Sequence, residues 1–465
     1  MAESRVYRRF RFQRDELSML MTLSLPILIT QWFLVGMGVV DIAITGHFDD
    51  NVQASVGLGV MIWNPLLLCS TGVLMSVAIF SAHEFGKGKS EDVALIWHNG
   101  LLISSVLIVA VVLIMNFFSG HLLRFLSVEE HLIPGSISYL RALSIGAPAI
   151  LIFNSLRAVC EGVARPLPIT IVCGIGFLVN AFLNYILVNG WELIQLPSLG
   201  IIGSGLGTGL TFWVMLFLLV GITFIDRRLR NLQLLRGFKR PDARLGEMIR
   251  VGIPSGATLF AEVAIFSAAG LILGQFGTIV VASHQISLAI TSMTFMIPLS
   301  VAMALTSMVG QRMGRMDYES VRRLSDMGRV VVLGLMLVTS LMLFFARFHI
   351  PQLFNTNPEI VQMSAALIVY SLFFQLPDGL QISANGILRG MKDTKVPMYL
   401  GIASYWLIAF PLSYYLGVVK HLEAPGVWMG LIAGLTVAAL FLNVRLAILT
   451  RRLPSVTTAP SGADR

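Results

Sequence analysis

Residues 373–390 read FFQLPDGLQISANGILRG, an acid set in the middle of an apolar run. Asp378, Gln381, Asn385 and Arg389 recur at helical spacing, so they share one face of the helix. That stripe has to meet protein or water rather than lipid. A charged group at the centre of a bilayer-spanning helix costs about 2.5–3.5 kcal/mol on insertion scales, and an acid kept there reads as part of an ion or substrate pathway. Pro377 and Gly379 flank the acid. They are expected to loosen the helix and free backbone carbonyls for a cation.

Working outward, the chain supplies the membrane around that stripe. Of 465 residues, 56% are hydrophobic and only 12% charged, where a soluble domain carries roughly 25% charged residues. Twelve apolar stretches can cross about 30 Å of hydrocarbon as helices. They lie near 18–46, 56–81, 95–118, 133–157, 167–189, 199–224, 247–275, 284–309, 328–347, 360–388, 396–418 and 425–447. The fold class expected is all-α integral membrane. No small-residue cleavage site closes the first run, and it is longer than a signal segment, so it is kept as the first span. Cys69, Cys160 and Cys173 have no metal-ligand spacing and lie in or beside spans, which argues against a disulfide framework or thiol chemistry.

The net charge of +8 reports topology and lipid headgroup contact rather than nucleic acid. Arg5, Arg8, Arg9, Arg11 and Arg14 precede the first span. Arg227, Arg228, Arg230, Arg236, Lys239, Arg240, Arg244 and Arg250 fill the loop after the sixth, and Arg312, Arg315, Arg322, Arg323 and Arg329 the loop after the eighth. Odd loops carry little beyond Arg124, Arg347 and Lys420. The positive-inside rule then places both termini and all even loops in the cytoplasm.

The chain also repeats itself. At a shift of 228, Pro26 falls on Pro254, Gly46 on Gly274, Phe48 on Phe276, Ala54-Ser55 on Ala282-Ser283, Gly86 on Gly314, Gly100 on Gly328 and Gly162 on Gly390. After a three-residue slip, Gly209-Leu210-Thr211 aligns with Gly434-Leu435-Thr436. Six spans per half is an even number, so both halves enter from the same side. That makes a parallel repeat with its site between the halves. The expected lobes are 1–225 and 247–450, joined by a cytoplasmic basic linker at 226–246 and followed by a cytoplasmic tail at 451–465. A central cleft between rocking lobes is the architecture of alternating access.

Two further acids lie within spans. Glu262 shares a helix face with Ser255 and Thr258. Asp41 stands in the outer part of the first span, where the repeat offers only Ala269 in the second half. Asn180 and Asn184 are four apart on the fifth span, and Asn154 ends the fourth. One carboxylate with several amide oxygens suits a hard cation such as sodium or a proton site. Buried Asn also serves as interhelical glue. Arg141 is expected to snorkel outward or pair. His98 and His284 read as interfacial, and Gln285, Gln381 and Asn385 as residues lining the cleft. The 22 Met and 28 Phe are mostly packing, though Met surfaces facing a cleft would adapt to bulky apolar ligands. No phosphate-cradling GxxxxGK[ST] loop, GxSxG or HExxH is present. The chain is therefore read as no enzyme, without cofactor, and its energy is expected from an ion gradient.

The segments DIAITGH, GIPSGATLFAE, ASHQI and LPDGLQISANGILRGMKDTKVPM resemble the MATE family of multidrug and toxic compound extrusion transporters, in its NorM-type branch. The resemblance covers nearly the whole chain. It implies export of small-molecule organic cations across a bacterial cytoplasmic (inner) membrane in exchange for H+ or Na+, by a monomer whose other partner is the lipid bilayer. Asp41, Glu262 and Asp378 match the family's essential acids, and Asn154, Asn180 and Asn184 fall where relatives build a cation site. Sodium could sit at Asp41 or at Glu262 and Asp378. Phe374, one turn before Asp378, offers no oxygen to a sodium shell, which tilts the second half toward protons. The rival is a lipid-linked precursor flippase of the same superfamily, whose cleft should be basic.

Overall fold

Helices account for every regular element of the computed structural model, which describes residues 2–125, 129–191, 195, 197–235, 237 and 241–454, with side chains from Arg14 onward except Asp50. The side chains of Arg5, Arg8, Arg9 and Arg11, and the whole of Arg236, Lys239, Arg240 and the tail beyond Pro454, lie outside it. In chain order the helices are α1 (Ala2–Phe48), α2 (Asp50–Gly86), α3 (Ser90–Leu113), α4 (Ser119–Phe125), α5 (Ile133–Ser144), α6 (Ala147–Gly162), α7 (Leu167–Asn189), α8 (Gly200–Ile225) and α9 (Arg227–Asn231). They continue as α10 (Arg244–Leu273), α11 (Thr278–Gly314), α12 (Tyr318–Ala346), α13 (His349–Gln352), α14 (Pro358–Gly390), α15 (Lys395–Ile402), α16 (Phe410–Tyr414) and α17 (Glu423–Arg452).

Among the described residues, eleven continuous helical runs are long and apolar enough to cross a bilayer. The twelfth span is the pair α5 and α6, bent by 50°. Pro148 has no N–H to continue the ladder there. Gly146 sits against Gly209, where a Cβ would come within 2.4 Å of the Gly209 Cα. The carbonyl of Ile145, exposed by the break, accepts from Trp213 Nε1 at 3.0 Å. The tenth span, by contrast, is one helix: Pro377 lies inside α14 without breaking it. Continuity through Pro377 rules out a break there, though a proline has no N–H to offer the Phe373 carbonyl. Gly379 is a packing position, its missing Cβ making room for Met336 and Val332 of α12.

The repeat is written in hydrogen bonds as well as in letters. Ser55 donates to the Leu132 carbonyl at 3.5 Å, and Ser136 to the Ser55 carbonyl at 2.9 Å. In the second half Ser283 donates to Ile360 at 3.3 Å, and Ser364 to Ser283 at 3.4 Å. Each partner is displaced by the same 228 positions. Gly162 lies against the carbonyl of Ala78, and Gly390 against that of Thr306, again in the same register.

Small residues set the helix spacing. Gly203 and Gly207 put α8 against Leu187 and Asn184 of α7, while Gly205 and Gly209 of the same helix put it against Tyr139 and Gly146. A Cβ on Gly203 would lie 2.2 Å from the Leu187 carbonyl oxygen. In membranes such close backbone approach replaces the hydrophobic effect as the force between helices.

Two compact units result. One runs from Pro26 to Phe260; the other joins residues up to Leu25 with those from Ala261 onward. The packing boundary therefore falls inside α1 and α10 rather than at the linker between 1–225 and 247–450. The ion pairs explain the exchange of helix heads. In the first unit Arg244, heading α10, reaches Glu84 of α2 at 3.7 Å and Asp92 at 3.3 Å. In the second, Glu16 of α1 reaches Arg312 of α11 at 3.9 Å. Glu84 and Arg312 are repeat equivalents, as are Glu16 and Arg244, so the polarity of the pair is reversed. Returned to its own half, Glu16 would meet Glu84 and Arg244 would meet Arg312, and like charges oppose both arrangements.

The linker is tied down at Asp242, which accepts from Arg244 Nε at 2.6 Å and from Asn99 at 3.1 Å. His98, expected at an interface, is buried and donates through Nε2 to the Leu234 carbonyl at 2.9 Å. Burial works to raise the Asp242 carboxyl, but the hydrogen bonds from Arg244 and Asn99 outweigh it and hold the group below its ordinary value.

Two outcomes are expected. Gly203→Ala should lower the melting temperature in detergent, because forced overpacking costs about 1–3 kcal/mol. Gly221→Ala, where a Cβ meets nothing within 4 Å, should leave it unchanged or raise it; equal melting of the two variants would contradict the packing account. A carboxyl with a depressed folded value contributes stability above its unfolded value and loses it as pH falls through the folded one. Hydrogen exchange in the 241–245 turn, corrected for intrinsic rates, should thus stay protected from pH 7 to 5 and open only below about pH 4. Opening already at pH 6 would exclude Asp242 as the anchor.

Candidate functional site

Each unit holds a buried acidic site within the bilayer-spanning helices. In the first, Asp41 of α1 is 6% exposed, and Asn180 and Asn184 of α7 are fully buried. Thr208 of α8 joins them: its hydroxyl donates to Asp41 Oδ2 at 2.8 Å. The Asn180 amide lies 3.5 Å and the Asn184 amide 3.4 Å from the Thr208 oxygen, and Asn184 also donates to the Asn180 carbonyl at 3.1 Å. Asn180 is a hydrogen-bond donor to the Asp41 carboxylate as well, and Tyr139 lies within its electrostatic reach. The donors are used up, whereas Asp41 Oδ1, Asn180 Oδ1 and Asn184 Oδ1 are buried without a hydrogen-bond partner in the protein. One carboxylate and two amide oxygens, unclaimed, fit a hard cation or a proton.

The packing of α8 makes this cluster possible. A Cβ at position 207 would lie 3.0 Å from the Asn184 amide, so glycine just before Thr208 lets α8 come close enough for the hydroxyl to reach Asp41. The G-x-G-T-G run was the available signal for Thr208, which the spacing of acids and amides alone does not single out. Asn154, by contrast, bonds to Thr71 at 3.2 Å rather than to the Asp41 group.

In the second unit Glu262 of α10 and Asp378 of α14 are 6% and 5% exposed and interact electrostatically, together with Arg389 and Tyr405. Gln381 donates to the Tyr405 hydroxyl. Glu262 Oε2, Gln381 Oε1 and Asn385 Nδ2 are buried without a protein partner. Gln381 and Asn385 therefore belong to the interior of this unit and line no open surface, because the whole polar stripe of α14 turns inward toward the acids. Gln285 is exposed and Arg141 is exposed, whereas His284, read as interfacial, is 1% exposed. Helix α11 turns the imidazole in and the amide out. Phe374 packs on Phe266 and Trp428, at 5.7 and 6.3 Å between ring centroids.

A third polar set, centred on the buried Arg157, was not anticipated. Arg157 donates to Glu161 at 2.7 Å and to Gln31 at 2.8 Å, all within the first unit. The repeat puts Arg157 at the position of Asn385 and Glu161 at that of Arg389, so both halves keep polar residues at one depth. The duplication was the signal: overlaying CEG of residues 160–162 on LRG of 388–390 exposes it.

Among the described residues no group of three or more His, Cys, Asp or Glu could hold a metal ion.

Comparison with known proteins places the chain. The MatE family model matches residues 26–186 and again 254–415, two starts 228 positions apart. The probable multidrug resistance protein NorM of Acinetobacter baylyi is 34% identical over 438 residues, covering 94% of this chain and 96% of that protein. The eukaryotic MATE transporter AtDTX14 superposes with TM-score 0.82 at 17% identity, over 94% of this chain and 99% of that one. An outward-facing multidrug resistance MATE transporter of the MOP superfamily superposes at 0.84 with 18% identity, over 94% and 96%.

If Thr208 holds Asp41, the two should couple. Thr208→Val and Asp41→Asn should each shift the thermal stability of the purified protein. The double variant should depart from the sum of the singles by about 0.5–3 kcal/mol. Strict additivity would remove Thr208 from the site.

Proposed function

This chain belongs to the MATE family of multidrug and toxic compound extrusion transporters, and we propose that it works as an antiporter, exporting organic cations across the bacterial cytoplasmic membrane in exchange for protons or sodium. The observation that carries this reading is a pair of buried acidic sites, one in each unit. At the first, the described residues place no basic side chain against Asp41. At the second, Glu262 and Asp378 act on each other and the guanidinium of Arg389 acts on Glu262. With both acids ionised that set carries one net negative charge, which one proton or one monovalent cation cancels.

The cycle follows from that charge. With the carrier open to the cytoplasm, an amphipathic cation is attracted by the ionised acids and held by aromatic and Met surfaces. The lobes rock outward by alternating access. A coupling ion then binds at the acids, cancels the attraction, and the drug leaves. Coupling of this kind is a difference in affinity and is reciprocal between ion and drug. Exchange of one proton for one monovalent cation moves no net charge, so a pH difference alone drives it, at about 1.4 kcal/mol per unit. A second proton would add about 2.3 kcal/mol per 100 mV. Orientation rests on the basic even loops, which place both termini in the cytoplasm. The same acidity weighs against a flippase for pyrophosphate-linked lipids.

The test is ethidium efflux from proteoliposomes under an imposed pH or sodium gradient. Wild-type protein should respond to one of them, and Asp378→Asn and Glu262→Gln should each lose the response by about 10-fold or more while still eluting as folded protein. No response of folded wild-type protein to either gradient would refute the antiport reading.

A further inference from the structure

His284 has no part in the cycle so far, yet it is a titratable group with 1% exposure, and neither Nδ1 nor Nε2 has a hydrogen-bond partner in the protein. It stands seven residues past Gly277, in the second turn of α11. Its ring packs edge-on to Trp428 of α17, with centroids 5.9 Å apart and planes at 77°. Gly270 of α10 faces Nε2, and a Cβ there would lie 3.8 Å away. Trp428 Nε1 is likewise buried and without a partner.

A structural role is the plain alternative, and the repeat argues against it. The position equivalent to His284 in the first half is Val56, and after the three-residue slip Trp428 corresponds to Gly203. The first half makes the same Ser–carbonyl hydrogen bonds with an apolar Val there. The scaffold does not need an imidazole. A buried polar group left unpaired costs about 1–3 kcal/mol, and this unit bears that cost at both ring nitrogens.

The unpartnered atoms also form a series. They include His284 Nδ1 and Nε2 and Trp428 Nε1 near the α10–α11 turn and Gln381 Oε1, Glu262 Oε2 and Asn385 Nδ2 at the acidic site, with Gln375 Nε2 and Asn443 Oδ1 in the same unit. Trp428 packs on Phe374, one turn before Asp378, and Phe374 packs on Phe266, one turn after Glu262. Glu262 and Gly270 are eight residues apart on α10, about 12 Å along the axis. Polar atoms that the protein leaves unpaired in its interior are ordinarily served by water, so these atoms offer sites for water at both ends of the aromatic contacts that join the turn to the acids. The titratable and charged groups on the surrounding helices are Glu262 on α10, Asp378 and Arg389 on α14, and Tyr405 on the span that continues α15. The α17 helix presents Trp428.

We propose that His284 is the proton entry relay of the second unit, passing protons from the outer end of α10 and α11 to Glu262 and Asp378. This rests on the antiport reading and commits the coupling ion of this unit to the proton. One ring nitrogen gains a proton from water while the other gives its own proton inward, ending on a carboxylate oxygen. The imidazole stays neutral overall, and a ring flip or the reverse exchange resets its tautomer. His284 positions and delivers the proton; drug binding stays with the acids.

The experiment compares two processes in the same proteoliposomes. Net ethidium transport driven by a pH gradient requires proton delivery. Exchange of labelled for unlabelled ethidium at equal pH does not. His284→Gln should slow net transport by about 10-fold or more, the scale of a lost proton-transfer group, and leave exchange within about twofold. His284→Glu, which can titrate, should recover much of the net rate. Net transport by His284→Gln at the wild-type rate would overturn the relay. Parallel loss of transport and exchange, unrescued by Glu, would assign the ring to packing instead. Wild-type transport answering sodium alone would overturn the relay and leave the antiporter standing, whereas wild-type indifference to both gradients would bring down both.

Discussion

The constraint behind the rest of the structure is the solvation of three carboxylates inside helices that otherwise touch lipid and one another. A carboxylate withdrawn from water must find donors in the protein or give up its charge. Asp41 finds them in Thr208 and Asn180, which requires α7 and α8 to approach more closely than ordinary side chains permit. The alternating glycines of α8 supply that approach, and the same helix uses the other half of its glycines against α5 and the bend before α6. Site and packing are therefore one problem solved by one segment, GSGLGTG at residues 203–209.

The two halves solve that problem differently on a shared frame. What is kept at a shift of 228 is backbone architecture: the Ser–carbonyl bonds, the glycine contacts and the breaks between spans. What is not kept is charge. Asp41 answers to Ala269, Asp378 to Ile150 and Glu262 to Leu34. Arg157 and Glu161 stand where the second half has Asn385 and Arg389. Even the ion pairs at the helix heads are reversed in sign. Both acids of these pairs, Glu16 and Glu84, are buried, where a like charge is costly to face, so the reversal acts on specificity, opposing each helix head where it would meet its own half.

Much of this was readable beforehand, for definite reasons. Span positions follow from hydropathy because lipid leaves the backbone no alternative to the helix. The duplication was visible at Gly and Pro, since those residues answer to backbone geometry and resist the drift that erases apolar matches. Asp378, Gln381, Asn385 and Arg389 were placed on one face because helical periodicity is rigid. What failed is instructive. Pro377 and Gly379 suggested a locally weakened helix, yet a membrane neighbour, α12, fills the space that glycine leaves, and α14 runs on without a break. Thr208 stayed hidden because a threonine in a glycine run looks like spacing until the helix rotation is known. The orientations of His284 and Gln285 could not be told apart from sequence, because adjacent residues near a helix end differ by about 100° in direction and periodicity there has few turns to act on.

The distribution of unpaired atoms separates the two sites further. Around Asp41 the unclaimed atoms are the oxygens Asp41 Oδ1, Asn180 Oδ1 and Asn184 Oδ1, a shell that suits an ion arriving and stopping. In the second they include ring nitrogens and amide groups of both donor and acceptor kind, spread along the length of the unit from His284 to Asn385. A cation of the sodium type gains nothing from passing donors such as Trp428 Nε1, whereas a proton can be handed along a mixed series with no group bearing a full charge for long. Electrostatics in a low-dielectric interior penalises every intermediate position of a bare ion, so a long route favours the carrier whose charge is relayed rather than moved. That is the ground on which we propose protons as the coupling ion of the second unit, with the first chemically open to either ion.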